Sequence, residues 1–238
     1  MAEAFYLGAY WGDRKEDVES CSIQLSEFLL RLAGVHEWLS GWYRRGRGEL
    51  ESRLVGTSPG VLRESLLAGR NRTDAGNEVI ADLGYSVSWW NENRAAPVSL
   101  SVQCGLHAGV AGLLNSVVLD FAEPDEGSGL ELYRPGLFLA ALKVVVEAWN
   151  PDWAVVTPRS LRNAQDYGDR EPFIGWMTYF SAPRRIPEGL PSGVTRERLP
   201  SGTVLCLSQE VDVAPLETAL ALRKSLTRAN ALFPTPQG

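Results

Sequence analysis

The chain has 238 residues, 45% hydrophobic and 22% charged, a balance that excludes intrinsic disorder and predicts one compact domain over residues 1–238, undivided or built of two lobes. The formal net charge is −6, so the surface repels phosphate backbones and we do not expect nucleic-acid binding. The longest apolar run, residues 137–146, contains Lys143 and is too short to cross a bilayer, so no membrane span is expected.

The chain is predicted to begin with a strand followed by an amphipathic helix. Residues 5–11 are rich in the aromatic and apolar side chains that strands favour. Asp13 and Glu16, three residues apart, resemble a capping box and indicate a helix start. Apolar side chains then recur at three- and four-residue spacing over residues 18–32, and Gly34 is expected to end the helix.

The pattern is weaker in the segment that follows this helix. Residues 36–43 favour a second short helix, and the polar, glycine-punctuated residues 44–56 are predicted to form a loop. Ser58 and Pro59 are typical of a helix start, and Gly69 is expected to end that helix.

Three strands are predicted in the middle of the chain, at residues 85–90, 98–106 and 117–121, because apolar and polar side chains alternate there. Their connections are too short for helical crossovers, so the strands should pair in an antiparallel meander. An acidic loop is expected after them, at residues 123–131.

The second half of the chain is predicted to alternate between helices and strands. A helix at residues 135–149 is apolar on nearly all sides, which is typical of a central, covered helix. The other predicted elements are strands at 153–157 and 174–180, a hairpin of 194–198 with 203–207, and a helix at 215–231. Runs of strands separated by helices indicate an α+β fold, with mostly antiparallel sheet packed by several helices.

The sequence offers no set of residues typical of a metal, cofactor or nucleophile site. His36 and His107 are the two histidines, and Cys104 precedes His107 by three residues without a second pair of ligands. Neither a Gly-x-Ser-x-Gly elbow nor a phosphate-binding glycine loop is present. We therefore expect no metal and no cofactor.

Carboxylates are concentrated near the end of the third middle strand, at Asp120, Glu123, Asp125 and Glu126. Three interpretations stay open. The segment is a solvated loop, a docking surface for a basic partner, or part of an enzyme that uses paired carboxylates around Asp120 on a small polar substrate.

The adjacent tryptophans Trp89 and Trp90 should point to opposite faces of their strand, so one of them is expected at the surface. Exposed tryptophan anchors protein interfaces and also stacks on sugars, so a carbohydrate-binding module is a further alternative.

The three cysteines are odd in number and widely spaced, which argues against a disulfide framework and favours a reducing compartment. The first residues carry neither the basic nor the apolar segment of a signal peptide. We therefore expect a cytoplasmic location.

Aromatic motifs stand in a specific order along the chain. Tyr6 opens the run Tyr-x-Gly-Ala-Tyr-Trp-Gly-x-Arg, which ends at Arg14. The later motifs are Cys21, Trp-Tyr at 42–43, Gly-Trp-Met-Thr-Tyr at 175–179 and Ser-Gly-Thr at 201–203. In this order, over most of its length, the chain resembles the bacterial immunity protein 52 family.

The resemblance implies a protein without enzymatic activity that binds and neutralises a cognate toxin encoded beside it. Such a toxin is usually a nuclease with a restriction-endonuclease-like domain, often delivered by type VI secretion. A nuclease surface that binds DNA is basic, so an acidic antagonist gains electrostatic complementarity. The residues expected to contact the toxin are Glu123, Asp125, Glu126 and Glu131, with Trp90, Asp166, Asp169 and Glu171 as further candidates.

Overall fold

The structure is a computed structural model that describes residues 3–45, 52–124, 129–208 and 215–236. The strands in these ranges are β1 (Phe5–Trp11), β2 (Tyr43–Arg45), β3 (Ser52–Leu54), β4 (Tyr85–Trp90), β5 (Val98–Cys104), β6 (Asn115–Phe121), β7 (Trp153–Pro158), β8 (Met177–Ser181), β9 (Thr195–Leu199) and β10 (Gly202–Cys206). They form one antiparallel sheet in the order β3-β2-β4-β5-β6-β1-β7-β8-β10-β9, with β1 near its centre.

The helices in the same ranges are α1 (Val18–Ala33), α2 (Pro59–Ala68), α3 (Pro135–Trp149), α4 (Arg159–Asn163) and α5 (Leu216–Arg228). Together with the antiparallel sheet they confirm the predicted α+β fold. None of the helices in the described ranges has both the length and the apolar character that crossing a membrane requires.

One face of the sheet is covered by α1 and α3, and the main core lies between them and the strands. Alternate residues of β1 point into this core. The indole of Trp11 stacks on Trp149 of α3 with ring centroids 5.5 Å apart, and the ring of Phe5 stacks on Phe138 at 5.5 Å. Burying such large apolar side chains is the main term that stabilises the sheet-helix packing.

Two buried amides fix the connections around this sheet. The Asn115 carbonyl oxygen accepts a hydrogen bond from the Leu106 backbone N–H at 2.9 Å, and its amide donates to the carbonyls of Gly12 and Leu106 at 2.7 and 3.0 Å. The Gln165 side chain forms three similar bonds, to the backbone of Leu161 and Ile174. Each side-chain amide therefore satisfies backbone N–H and C=O groups that the regular hydrogen bonding of the strands and helices leaves without partners.

The start of α1 differs from the prediction. Asp17, and not Asp13, is the N-cap, and its carboxylate accepts a hydrogen bond from the Ser20 backbone N–H at 2.7 Å. The Asp13 carboxylate instead accepts from the Gly109 N–H at 2.6 Å, across 96 residues of sequence. The capping-box spacing was therefore misread, because it cannot reveal a distant donor.

The segment after α1 also differs from the prediction. In place of a helix over residues 36–43 there is a single 3-10 turn at Glu37–Leu39, after which Tyr43 opens β2. The predicted loop over 44–56 contains the end of β2 and all of β3, which pair with each other antiparallel, and its residues 46–51 lie outside the described ones. These strands have three residues each, too few for a period-two pattern to be visible.

Candidate partner-binding surface

The second face of the sheet is covered over β1 and β7 by a layer of aromatic rings. Tyr10 of β1 stacks on Trp153 of β7 with centroids 4.5 Å apart. Trp153 meets Phe173 edge-on at 5.1 Å, and Phe173 contacts Tyr167 at 5.0 Å. The Trp153 indole N–H also donates to the Thr235 hydroxyl at 3.2 Å, so the last described segment of the chain covers the same face.

The same face is open over β4, β5 and β6. Ser88, Ser101 and Val118 lie side by side in the strand register, and Ser88 and Ser101 are exposed. Among the described residues, therefore, nothing covers the middle of this area. We call the outward side of these three strands the open face; its residues are Ser86, Ser88, Trp90, Ser99, Ser101, Gln103, Ser116, Val118 and Asp120.

A groove of about 530 Å³ lies at one end of the open face, and we call it the end groove. The side-chain amide of Gln103 donates to the Leu83 carbonyl at 2.6 Å, which joins the sheet to the segment that rims the groove. Leu113 lines the groove and is 40% exposed, although it is a large apolar side chain. Other lining residues are Tyr10, Leu106, Leu114 and Ser116.

Tyr10 connects the end groove to the aromatic layer. Burial raises the pKa of Tyr10 to about 12, and the nearby Arg162 guanidinium opposes that rise. The hydroxyl therefore stays protonated at neutral pH and can donate a hydrogen bond. Arg162 donates from Nε to the Tyr167 hydroxyl at 2.8 Å and lies over the Phe173 ring, which fixes it in the layer.

The first wall of the open face, residues 71–83, is acidic. Its carboxylates Asp74, Glu78 and Asp82 are exposed. Asp82 lies 3.3 Å from the His107 imidazole nitrogen, and Arg72 donates to the Asn77 carbonyl at 2.8 Å. In total, the first wall contains three carboxylates and one arginine.

The second wall, residues 163–171, borders the open face along β1 and holds three residues predicted to contact a partner. Asp166 and Asp169 are exposed. Glu171 is partly buried: it accepts from Arg223 of α5 at 3.0 Å and from the Gly168 N–H at 2.8 Å. Two of the three predicted residues thus face solvent, while Glu171 ties this wall to α5.

The carboxylates around Asp120 do not converge in the part of the chain that the structure describes. Asp120 lies on the open face and accepts a hydrogen bond from Arg159 at 2.8 Å. Glu123 is exposed beyond the end of β6, and Asp125 and Glu126 lie outside the described residues. Within those residues, no three His, Cys, Asp or Glu side chains gather as metal ligands.

Glu123 and Glu131 are far from the end groove. Ser116 lines that groove near the start of β6, whereas Glu123 follows the end of the strand, and a seven-residue strand spans about 20 Å. Glu131 lies in a 3-10 turn, 3.8 Å from the His36 imidazole nitrogen. The predicted contact residues are thus divided between two regions of the surface.

The two adjacent tryptophans behave as the strand pattern predicts. Trp89 is buried on the helix-covered side of β4, and Trp90 is partly exposed on the open face. Trp90 pairs with Ser99 of β5 and Tyr43 of β2, in the same row as Asp120. Trp90 therefore lies at the end of the open face opposite the end groove.

One antiparallel sheet, with α1 and α3 on one face and, among the described residues, only part of the other face covered, defines the structural class of this protein. The family model of immunity protein 52 matches residues 3–234, which is nearly the whole chain. The chain therefore belongs to the immunity protein 52 family.

A solved structure, the Pseudomonas aeruginosa T6SS protein PA0821, has a similar fold, with a TM-score of 0.54 and 14% sequence identity. The alignment covers 94% of this chain and 73% of that chain. At such low identity the similarity concerns the fold alone. A search of curated proteins gave no match.

Proposed function

We propose that this protein binds a cognate secreted toxin in the cytoplasm and neutralises it, protecting the cell that produces the toxin and its kin. The toxin we propose is a nuclease delivered by type VI secretion. The observation that carries the proposal is the family match over residues 3–234. The fold shared with a T6SS protein supports the delivery route that we propose.

The charge of the chain supports a basic partner. A nuclease must attract DNA and therefore presents a basic surface, whereas this chain has a net charge of −6. Opposite net charges speed diffusional encounter and raise the association rate, which matters for an antagonist that must reach the toxin before DNA does.

Inhibition is proposed to be stoichiometric, through a surface of roughly 1,200–2,000 Å² that excludes the substrate or a required part of the toxin. The arrangement at Asp120 favours this over chemistry. Its carboxylate is held by Arg159 at 2.8 Å, and the described carboxylate next in sequence, Glu123, is exposed beyond the strand end. Among the described residues, Asp120 is thus engaged by an arginine and not by a second carboxylate that could share acid and base roles.

The proposal is tested by co-expression with the toxin domain encoded in the adjacent open reading frame. We expect cells that make this domain alone to lose viability and degrade their DNA, and cells that also make the immunity protein to survive. A catalytically inactive toxin variant, matched in expression, controls for the burden of production. Cell death unchanged by the immunity protein, despite soluble expression of both chains, would contradict the proposal.

A further inference from the structure

We propose that the open face is where the toxin docks, with an apolar toxin side chain in the end groove and basic groups facing the two acidic walls. This inference rests on the proposed function and deepens it, because it names the surface and the chemistry of the partner. It also moves the interface away from Glu123 and Glu131, which lie beyond the opposite end of β6 or on the 3-10 turn near it.

The first argument is steric. An antiparallel sheet can leave one face to solvent, and here an aromatic layer covers part of that face while, among the described residues, the rest is bare and accessible to a partner. The uncovered half is lined by small hydroxyl side chains, including Ser88 and Ser101, which allow a partner's backbone to come close.

The second argument is the lining of the end groove. Its volume of about 530 Å³ lies within the usual range of ligand-binding clefts, about 300–1,000 Å³. The lining side chains include Leu83, Leu113 and Leu114, and none of them is charged; the polar ones are Tyr10, Asn71, Gln103 and Ser116. Such a lining disfavours phosphates and other charged small molecules. It suits an aliphatic or aromatic anchor of the kind that dominates protein interfaces.

The third argument is electrostatic complementarity. The open face has one carboxylate, Asp120, and that carboxylate is paired with Arg159. The walls have exposed carboxylates on both sides, with Asp74 and Asp82 on the first wall and Asp166 and Asp169 on the second. Each wall contains three carboxylates and one arginine, Arg72 or Arg170, so a basic surface centred on an apolar anchor fits this pattern better than an acidic one.

A pair of matched substitutions tests whether the toxin binds at the open face. In Ser101→Arg a long cation stands in the middle of the open face, where it blocks close approach and repels a basic partner. Ser192→Arg makes the same chemical change on an exposed loop before β9. We expect Ser101→Arg to weaken binding of the toxin domain from the adjacent open reading frame by about 30-fold or more, and Ser192→Arg to leave it unchanged.

A second pair tests the end groove. Leu113 and Leu220 have nearly the same exposure, 40% and 43%, but Leu220 lies on α5, outside the groove. Leu113→Glu should abolish rescue in the co-expression assay, while Leu220→Glu should retain it. Circular dichroism on each purified variant establishes that the fold is kept.

The outcomes separate this inference from the proposed function. If wild-type protein binds and neutralises the toxin, but Ser101→Arg and Leu113→Glu do so equally well, the open face is not the interface and the proposed function stands. If wild-type protein neither binds nor protects, the proposed function itself is contradicted. If an Arg or Glu variant fails to fold, Ser101→Cys replaces it. The toxin should then block maleimide labelling of that thiol, and unchanged labelling in the complex would overturn the inference.

Discussion

The hydroxyl oxygens of Ser88 and Ser101 lie 3.2 Å apart on directly paired residues of β4 and β5, at the centre of the open face. On the other side of the same two strands, Val87, Leu100 and Val102 are buried under the helices. One pair of strands thus presents a core to one side and hydroxyl groups to solvent on the other. A hydroxyl surface is stable in water and can also be buried by a partner that supplies hydrogen bonds.

The exposed carboxylates of the second wall should accelerate association with a basic toxin. We expect Asp166→Lys combined with Asp169→Lys to lower the association rate constant about tenfold at low salt, because steering by the wall is reversed. The effect should diminish as added salt screens the charges. Surface plasmon resonance at several ionic strengths measures both quantities.

The matched control is Glu123→Lys with Glu131→Lys, which makes the same charge change outside the second wall. Glu123 and Glu131 are both exposed, and we place them outside the interface. If this control slowed association more than the substitutions at Asp166 and Asp169, the toxin would dock near the end of β6 and the open face would be ruled out.

Glu171 should stabilise the fold and leave toxin association unchanged. Its carboxylate accepts from Arg223 and from the Gly168 N–H, and it is less exposed than the other acidic residues of that wall. Glu171→Gln should lower the free energy of unfolding by about 1–2 kcal/mol, since a charge-assisted, partly buried pair is weakened. Urea unfolding measures the change, with Asp169→Asn as the exposed control. If Glu171→Gln had the same free energy of unfolding as wild type, the contact between Glu171 and Arg223 would contribute nothing to stability.

Asn115 should be among the most sensitive polar positions of the fold. It is fully buried and forms three hydrogen bonds that join the end of β1 to the connection between β5 and β6. Asn115→Ala removes the partner of the Gly12 carbonyl and of the Leu106 N–H, while the Leu106 carbonyl keeps its hydrogen bond from the Arg14 N–H, and we expect a loss of about 2 kcal/mol or more. Asn163→Ala, at the exposed end of α4, should change stability by less than about 0.5 kcal/mol. Equal effects of the two substitutions in thermal unfolding would contradict this assignment.

Glu16 should make stability depend on pH. Burial raises the pKa of the Glu16 carboxyl above its usual range, with the Arg14 guanidinium opposing the rise. A folded-state pKa above the unfolded-state value gives a contribution that is complete below the unfolded pKa and is lost as pH rises through the folded pKa.

Glu16→Gln removes a charge that the folded state accommodates poorly, so we expect its urea midpoint to exceed that of wild type at about pH 7. The difference should shrink towards about pH 3.5, where the wild-type carboxyl is protonated in both states. Glu27→Gln, on the exposed side of α1, is the control. A midpoint difference that stays constant across this pH range would argue against the assignment.

Elements with strong local signals were predictable from the sequence. The bounds of α3 agree with the prediction, because Pro135 begins the helix and Asn150, with φ of 43°, ends it in the left-handed region before a proline. Strand β1 also agrees, since its seven residues are nearly all apolar or aromatic. Strands β2 and β3 were missed because their pairing depends on each other and on β4, and not on their own three residues.

The open face could be predicted only in part. Alternating serines at 86 and 88, and at 99 and 101, predicted strands with a polar side. Whether that side is covered depends on residues such as Trp153, Phe173 and Thr235, which are distant in sequence and cover β1 and β7 instead. The expectation that Glu123 and Glu131 contact the toxin rests on their charge, and it stays a prediction, because charge does not distinguish a docking surface from a solvated loop.

The central claim is that this protein acts by occupying a surface of the toxin and performs no chemistry on it. Titrating the immunity protein into the purified toxin nuclease, at a toxin concentration well above the dissociation constant, tests this claim most directly. DNA cleavage should fall in proportion to the added protein, reach its end point at a fixed stoichiometric ratio, and return when the complex is denatured and the toxin is refolded alone. Permanent loss of toxin activity at a small fraction of that ratio would contradict the claim.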